Sequence, residues 1–279
     1  MVSLQTARAG GAGDVPGLVP TRTRRTVAAV VAAAVVLAGG VFGLAVSFGA
    51  TTRPGPPSPS VGIAEDVVVP ASVLNLPLVD EHGRTTSLSA FRDKIVVLTP
   101  FLTSCQETCP ITTGALLQMQ QAVRAAGLAG TVVFAEVSVD PGRDTPTRLA
   151  AYAHVTGADW PLLTGTAGTL GSLWHHFGVY SQKVPEDSPP GLDWQTGAPY
   201  TYDVDHSDGF IVLDAHQHER FVTAAAPNLR GRALERRLRS MLSTQGVHDL
   251  GAPAANAWTV ADGLQAVGWV AGRAVPAIG

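Results

Sequence analysis

The sequence has little charge, few aromatic residues and almost no cysteine. Of 279 residues, 15% are charged, 6% are aromatic and two are cysteines. Hydrophobic residues make up 46% of the chain. The chain is therefore too apolar for a disordered protein, and it is long enough for one or two domains.

Basic charge is scarce outside the N-terminus. Residues 1–50 contain four arginines against one aspartate, a balance of +3. Because the whole chain carries −3, the remaining residues carry −6. An acidic body is a poor match for a polyphosphate backbone, so we expect no nucleic-acid partner.

One long run has no charge at all. Residues 27–48 would form about 33 Å of helix, enough to cross a hydrocarbon core of about 30 Å. We predict a transmembrane anchor over 27–49, preceded by a short N-terminus over 1–26. A cleaved signal peptide is the alternative, with Ser47 and Gly49 as a weak cleavage site.

Arginines directly before this run set the expected orientation. Arg22, Arg24 and Arg25 predict an N-terminus in the cytoplasm and a single-pass protein of the cytoplasmic membrane. The functional domain would then be extracytoplasmic. No cysteine lies directly after the run, which excludes a lipoprotein anchor.

The rest of the chain divides by composition into three parts. Four prolines within 51–60 favour an extended spacer, and we predict a linker over 50–69. We predict one folded domain over 70–245. An apolar tail over 246–279 follows, either as a docked or partly disordered helix or as an interfacial helix on the bilayer.

The pattern of the predicted domain alternates between strand and helix. Nearly continuous apolar runs predict buried strands, whereas 3.6-residue spacing predicts helices. A hairpin and a closing helix complete an α/β sandwich with a central mixed sheet. The predicted strands span 95–102, 131–139, 209–214 and 220–223, and the predicted helices span 111–126, 146–155, 170–177 and 229–242.

The two cysteines lie four residues apart, at Cys105 and Cys109, with Pro110 directly behind. Proline is favoured at the first position of a helix, so we expect Cys109 at the N-cap and Cys105 in the preceding loop. Both sulfurs would lie at the positive end of a helix dipole, which lowers the pKa of a thiol.

Three interpretations of this pair are possible. A structural disulfide would close a short loop and stabilise the domain by only about 2 kcal/mol. A redox dithiol needs a thiolate of low pKa beside a resolving thiol. A site for a soft metal such as Cu(I) or Zn(II) needs a third ligand from elsewhere in the fold. Among the eight histidines, His206 is a candidate because it directly precedes an apolar strand.

Several stretches together resemble one family. TSCQETCP at 103–110 matches a Cys-x3-Cys-Pro motif, and 137–153 matches a Ser-Val-Asp-Pro…Arg-Asp-Thr-Pro signature. The segments 177–184 and 204–214 match later parts, including a metal-binding histidine. In order and spacing, the chain resembles the SCO/SenC family of membrane-anchored, thioredoxin-fold copper chaperones over about 70–245.

The resemblance implies a thioredoxin-like fold and a specific site. It implies copper, as Cu(I) or Cu(II), bound by Cys105, Cys109 and His206, with no catalytic residue assigned. The implied client is the binuclear copper site of cytochrome c oxidase subunit II, or another copper protein. Alternatives are a thiol–disulfide reductase that uses Cys105 and Cys109 to keep the client cysteines reduced, and a copper-dependent redox sensor.

One loop departs from the family pattern, and a second is expected to have a structural role. Residues 186–202 form a long loop rich in proline and glycine just before His206, either a flap near the metal or a surface insertion. We expect Asp140, Arg143 and Asp144 to hold their own loop by hydrogen bonds and to cap the next helix.

Overall fold

The protein is described here by a computed structural model covering residues 53–278. The predicted membrane anchor over 27–49 lies outside these residues. None of the helices that residues 53–278 form combines the length and the apolar character needed to cross a bilayer.

Twelve strands are distributed over one large and two small sheets in this part of the chain. In chain order they are β1 (Ile63–Val68), β2 (Leu78–Asp80), β3 (Thr85–Thr86), β4 (Ile95–Phe101), β5 (Val132–Ser138), β6 (Leu162–Thr164), β7 (Ser181–Val184), β8 (Asp203–His206), β9 (Phe210–Leu213), β10 (His218–Thr223), β11 (Pro227–Asn228) and β12 (Trp258–Thr259).

The large sheet has eight strands in the order β1-β10-β9-β4-β5-β6-β2-β3. Its central strand, β4, is parallel to β5 on one side and antiparallel to β9 on the other. All seven residues of β4 are buried, as a strand covered on both faces should be. The predicted α/β fold with a central mixed sheet is confirmed.

Helices form at three of the four predicted places, over 111–126, 146–155 and 170–177, and at several further places. They are α1 (Ala71–Leu74), a 3₁₀ turn (Leu88–Phe91), α2 (Cys109–Ala125), α3 (Pro146–Thr156), α4 (Ala167–His176), α5 (Arg236–Arg239), α6 (Thr244–Gly251) and α7 (Val260–Ala271). The longest of them, α2, follows β4 directly, so its N-terminus lies at the carboxyl end of the central strand.

The predicted helix over 229–242 is wrong. Only Arg236–Arg239 is α-helical there, although Leu238 and Met241 are buried as the apolar stripe requires. Arg230 and Gly231 have φ angles of 48° and 76°, in the left-handed region, which a right-handed helix cannot contain. Residues 229–242 therefore bury Leu238 and Met241 although most of the segment is not helical.

Both ends of the predicted domain extend further than expected. The predicted linker over 50–69 contains β1, which pairs with β10 at the edge of the large sheet. The tail helix α7 is capped by a reciprocal Thr259–Asp262 pair and packs against α2. A side chain at Gly263 would collide with Met119 of α2, so the two helices approach closely there. The tail is therefore part of the compact unit.

One carboxyl group is fully buried behind α2. Glu136 of β5 accepts hydrogen bonds from the Thr113 hydroxyl and the Trp160 indole N–H, both at 2.9 Å. The Tyr152 hydroxyl lies 3.1 Å from the same Thr113 oxygen. Burial raises the pKa of Glu136 from 4.5 to about 7, although both hydrogen bonds act to lower it.

We expect Glu136→Gln to remove a pH-dependent loss of stability. The pKa of Glu136 is higher in the folded chain than in the unfolded chain. Its favourable contribution to the free energy of unfolding is therefore complete below about pH 4.5 and is lost as the pH rises through about 7. Glutamine is neutral throughout, and its amide can still accept from Trp160 and donate to Thr113. From pH 4.5 to 8, the variant should gain about 3 kcal/mol in unfolding free energy relative to wild type.

Denaturant unfolding of both proteins at the two pH values measures this gain. The variant Glu235→Gln is the matched control, because it makes the same substitution at an exposed residue outside the buried cluster. A Glu136→Gln difference that is the same at both pH values would contradict the assignment of a buried ionisable group.

Candidate metal centre

The two cysteines lie where the central strand passes into α2. Cys105 is in the loop after β4 and Cys109 begins the helix; their side chains are buried. The N-cap is Thr108 rather than Cys109, because the Thr112 N–H donates to the Thr108 carbonyl at 2.8 Å. Pro110 is then the second helical residue, one position later than expected, where its missing N–H is still not needed.

The two sulfurs have different acidities. The Cys109 backbone N–H donates to Cys105 Sγ at 3.3 Å. A hydrogen bond from the Cys109 thiol lowers the pKa of Cys105 well below its usual value; burial opposes this, and His206 adds to the lowering. Burial, followed by the hydrogen bond and charge of Cys105, raises the pKa of Cys109 well above its usual value. The expectation of two acidic thiols is therefore right for Cys105 and wrong for Cys109.

His206 reaches the cysteines from the last position of β8, which pairs with β7. Its Nδ1 lies 2.8 Å from the Ser207 carbonyl, which can only accept, so Nδ1 carries a proton. Its Nε2 lies 3.6 Å from Cys109 Sγ. Burial lowers the pKa of His206, but the hydrogen bond with Cys105 and the Cys105 charge outweigh it and raise that pKa to about 9.

The structure brings together the three residues that the sequence singles out. Ligand atoms of Cys105, Cys109 and His206 all lie within 4.8 Å of one another. Among residues 53–278, no other set of three histidine, cysteine, aspartate or glutamate residues lies as close together. Two thiolates and one imidazole are a donor set suited to soft metals such as Cu(I). The two cysteines are not joined by a disulfide.

A second layer of side chains holds the ligands in place. The Thr108 hydroxyl donates to Asp208 Oδ1 at 2.7 Å, and its oxygen lies 3.8 Å from Cys105 Sγ. This pair links the cysteine loop to the turn that follows His206. Sequence reasoning missed both residues, although Asp208 lies only two positions after the candidate histidine.

A buried carboxylate fixes the start of the cysteine loop. Asp144 accepts from the Thr103 N–H and hydroxyl at 3.2 and 2.5 Å and from the Ser138 hydroxyl at 2.6 Å. Burial raises the pKa of Asp144 to about 6, although these hydrogen bonds lower it. The cap of α3 is not Asp144, as expected, but Thr145, whose hydroxyl accepts a hydrogen bond from the Arg148 N–H.

Asp140 and Arg143 hold their loop as expected. Their side chains form an ion pair in which the Asp140 carboxylate is almost completely buried. The Arg143 guanidinium also donates to the Tyr202 carbonyl at 3.0 Å and lies over the Tyr202 ring. These contacts attach the residues just before β8, and hence His206, to the end of β5.

The long loop over 186–202 lies against the cysteine loop. The Trp194 indole donates to the Thr103 carbonyl at 2.7 Å, and the Gln106 amide donates to the Leu192 carbonyl at 2.9 Å. Arg148 and Asp193 form a largely buried ion pair at 2.7 Å. These contacts favour the prediction of a flap near the site over that of a surface insertion.

The fold and this site define an α/β protein with a central mixed sheet, two cysteines at a helix N-terminus and a histidine brought to them from a distant strand. The SCO1/SenC family model matches residues 74–243, and the chain belongs to this family.

Two individual relatives are similar to about half of the chain. The chain is 28% identical over 136 residues to bovine (Bos taurus) mitochondrial Protein SCO2 homolog, covering 49% of this chain and 47% of that protein. It is also 28% identical over 139 residues to Schizosaccharomyces pombe Protein sco1, covering 49% of each. The matches thus span about half the length of both relatives.

Two solved structures show a more general similarity. Arabidopsis thaliana ScoI with copper bound is 21% identical, with a TM-score of 0.45, and the match covers 58% of this chain and 88% of that one. Yeast Sco1 with copper bound is 17% identical, with a TM-score of 0.45, and the match covers 69% of this chain and 91% of that one.

Proposed function

We propose that the chain is a membrane-tethered, extracytoplasmic copper metallochaperone. It binds copper through Cys105, Cys109 and His206 and delivers it to the binuclear copper site of cytochrome c oxidase subunit II. The observation that carries the proposal is the convergence of these three donors, from two separate segments, within 4.8 Å of one another. Tethering rests on the uncharged run over 27–48, which would hold the domain beside a membrane-bound client.

The chemistry of the donors suits transient binding of a soft cargo. The lowered pKa of Cys105 favours the thiolate that ligates a soft metal, whereas the raised pKa values of Cys109 and His206 mean that copper must displace protons from them. The Ser207 carbonyl fixes the tautomer of His206 and directs Nε2 towards the sulfurs. Only three residues would bind copper, and Cys105 and Cys109 lie in or beside a loop. Copper would therefore stay open to attack by the ligands of a recipient.

A thiol–disulfide reductase is the second candidate, favoured by two free cysteines with a direct N–H to sulfur contact. The Cys105 thiolate would attack a client disulfide, forming a mixed disulfide and releasing one client thiolate. The Cys109 sulfur would then attack Cys105, releasing the second client thiol and leaving a Cys105–Cys109 disulfide. An external dithiol reductant would have to restore the pair.

A transfer experiment separates the two functions. The full chain, reduced and loaded with Cu(I), is mixed with the isolated copper-binding domain of oxidase subunit II in its reduced form, and copper is measured in each after separation. The proposal predicts that copper moves to the recipient. The copper-free, reduced chain is mixed in parallel with the oxidised recipient domain.

The reductase alternative predicts rapid reduction of that disulfide together with weak copper binding. A sensor predicts tight copper binding with neither transfer nor reduction. Either result would overturn the proposal of a chaperone.

A further inference from the structure

A groove borders the cysteine loop. It encloses about 360 Å³. Its walls come from the cysteine loop, the long loop before His206 and the start of α6. We call it the acidic groove, after the residues that line it: Ser104, Gln106, Glu107, Glu186, Asp187 and Asp203, together with Ser243–Gln245 and three residues of the long loop.

The charge of the groove has one sign. Glu107, Glu186, Asp187 and Asp203 line it, and no lysine, arginine or histidine among residues 53–278 does. Two of these carboxylates already accept a hydrogen bond from the protein. Glu107 accepts from the Ser243 hydroxyl at 2.8 Å, and Glu186 accepts from the Gly191 N–H at 3.1 Å. The groove is therefore suited to a cation and unsuited to an anion.

The spacing of these carboxylates disfavours a bare metal ion. Among residues 53–278, three metal-ligating atoms lie within 4.8 Å of one another only at the cysteine–histidine site, and not in the groove. Hard cations need several oxygens at about 2–2.6 Å. An extended organic cation, such as a guanidinium or an ammonium on a side chain, can instead reach carboxylates that stand apart.

An unsatisfied hydroxyl in the wall points to a ligand as well. Ser104 lines the groove and is 4% exposed, and its buried Oγ has no hydrogen-bond partner among residues 53–278. An unpaired buried hydroxyl costs about 1–3 kcal/mol, so native proteins rarely keep one. An N–H donor in the groove would pair with this oxygen once the Ser104 side chain turns towards it.

The groove adjoins the metal centre. Glu107 lies between Cys105 and Cys109 in sequence, and Ser104 directly precedes Cys105. The bond from the Gln106 amide to the Leu192 carbonyl holds the long loop beside these residues. Whatever occupies the groove is thus placed next to the metal ligands.

We infer that the acidic groove receives a lysine or arginine side chain of the polypeptide that exchanges copper with Cys105 and Cys109. This inference rests on the proposed function, since it concerns how the exchange partner docks. A basic side chain held in the groove would align the partner's own ligands with the cysteine pair and raise the rate of productive encounter.

Transfer kinetics test the inference on the full chain in detergent. The probes are two synthetic peptides that each carry a Cys-x-x-Cys copper acceptor, one flanked by arginines and the other by glutamines. At low salt, we expect Cu(I) transfer to the arginine peptide to have a second-order rate constant about tenfold higher. The double variant Glu186→Gln, Asp187→Asn should reduce this advantage to about twofold.

A matched control removes the same charge elsewhere. The double variant Asp66→Asn, Glu235→Gln neutralises two acidic residues that do not line the groove and should keep the tenfold advantage. If both double variants lost it equally, overall charge would be responsible and the inference would be wrong. An advantage that persists in the groove variant would also overturn it.

Copper loading is measured first and keeps the two proposals separate. A wild-type chain that binds no copper would refute the proposed function. A chain that binds and transfers copper equally fast to both peptides would refute only the groove.

Discussion

Replacing both Cys105 and Cys109 with serine is expected to abolish tight copper binding by the full chain. A serine hydroxyl is neither soft nor ionised at neutral pH, so the variant would keep only the His206 imidazole as a ligand. Wild type should retain about one copper ion per chain through gel filtration, and the variant close to none, by elemental analysis of the protein peak.

The same preparation reports on folding. Cys105 and Cys109 are buried, so the serine variant must be shown to have the circular dichroism and cooperative unfolding of wild type. A folded variant that still retains one-to-one copper would contradict the site.

Replacing His206 with alanine is expected to weaken binding of Cu(II) far more than binding of Cu(I). Two thiolates can hold Cu(I) in linear coordination, whereas Cu(II) favours nitrogen donors and higher coordination. We expect the Cu(II) affinity to fall by about a hundredfold or more, which corresponds to about 2.7 kcal/mol, and the Cu(I) affinity to fall by less than tenfold. Competition against chelators selective for each oxidation state measures both constants.

His216→Ala is the matched control for this prediction, because His216 is exposed in the hairpin turn between β9 and β10. It should leave both affinities unchanged. Equal losses of Cu(I) and Cu(II) binding in the His206 variant would indicate that the imidazole supports the loop rather than ligating the metal.

The central part of the fold follows from local patterns. Strands β4 and β5 are continuous apolar runs, and α2 has helical spacing behind a proline, so each is recognisable within a short window. Their parallel pairing places the N-terminus of α2 at the carboxyl end of the central strand. The cysteine pair could therefore be placed from the sequence alone.

Other features depend on contacts between distant segments. The apolar stripe within 229–242 predicts a helix, but backbone torsions at Arg230 and Gly231 stop one from forming there. Burial of Cys109 next to a thiolate reverses the effect expected from the helix dipole on its pKa. The acidic groove joins three segments far apart in the chain, and no local pattern marks it.

His206 lies between these cases. Its position before an apolar strand makes it a candidate, but this position alone does not place a residue beside the cysteines. The pairing of β7 with β8 and the Arg143 contact to Tyr202 bring it to the sulfurs. Resemblance to family motifs identified the residue, and the geometry supplies its physical reason.

X-ray absorption at the copper K-edge, on the Cu(I)-loaded full chain, measures the ligands of copper directly. We expect two sulfurs and one nitrogen bound to copper, with the nitrogen lost in the His206→Ala variant and the sulfurs retained. Copper bound by nitrogen and oxygen alone, or a spectrum unchanged in that variant, would contradict the proposed site.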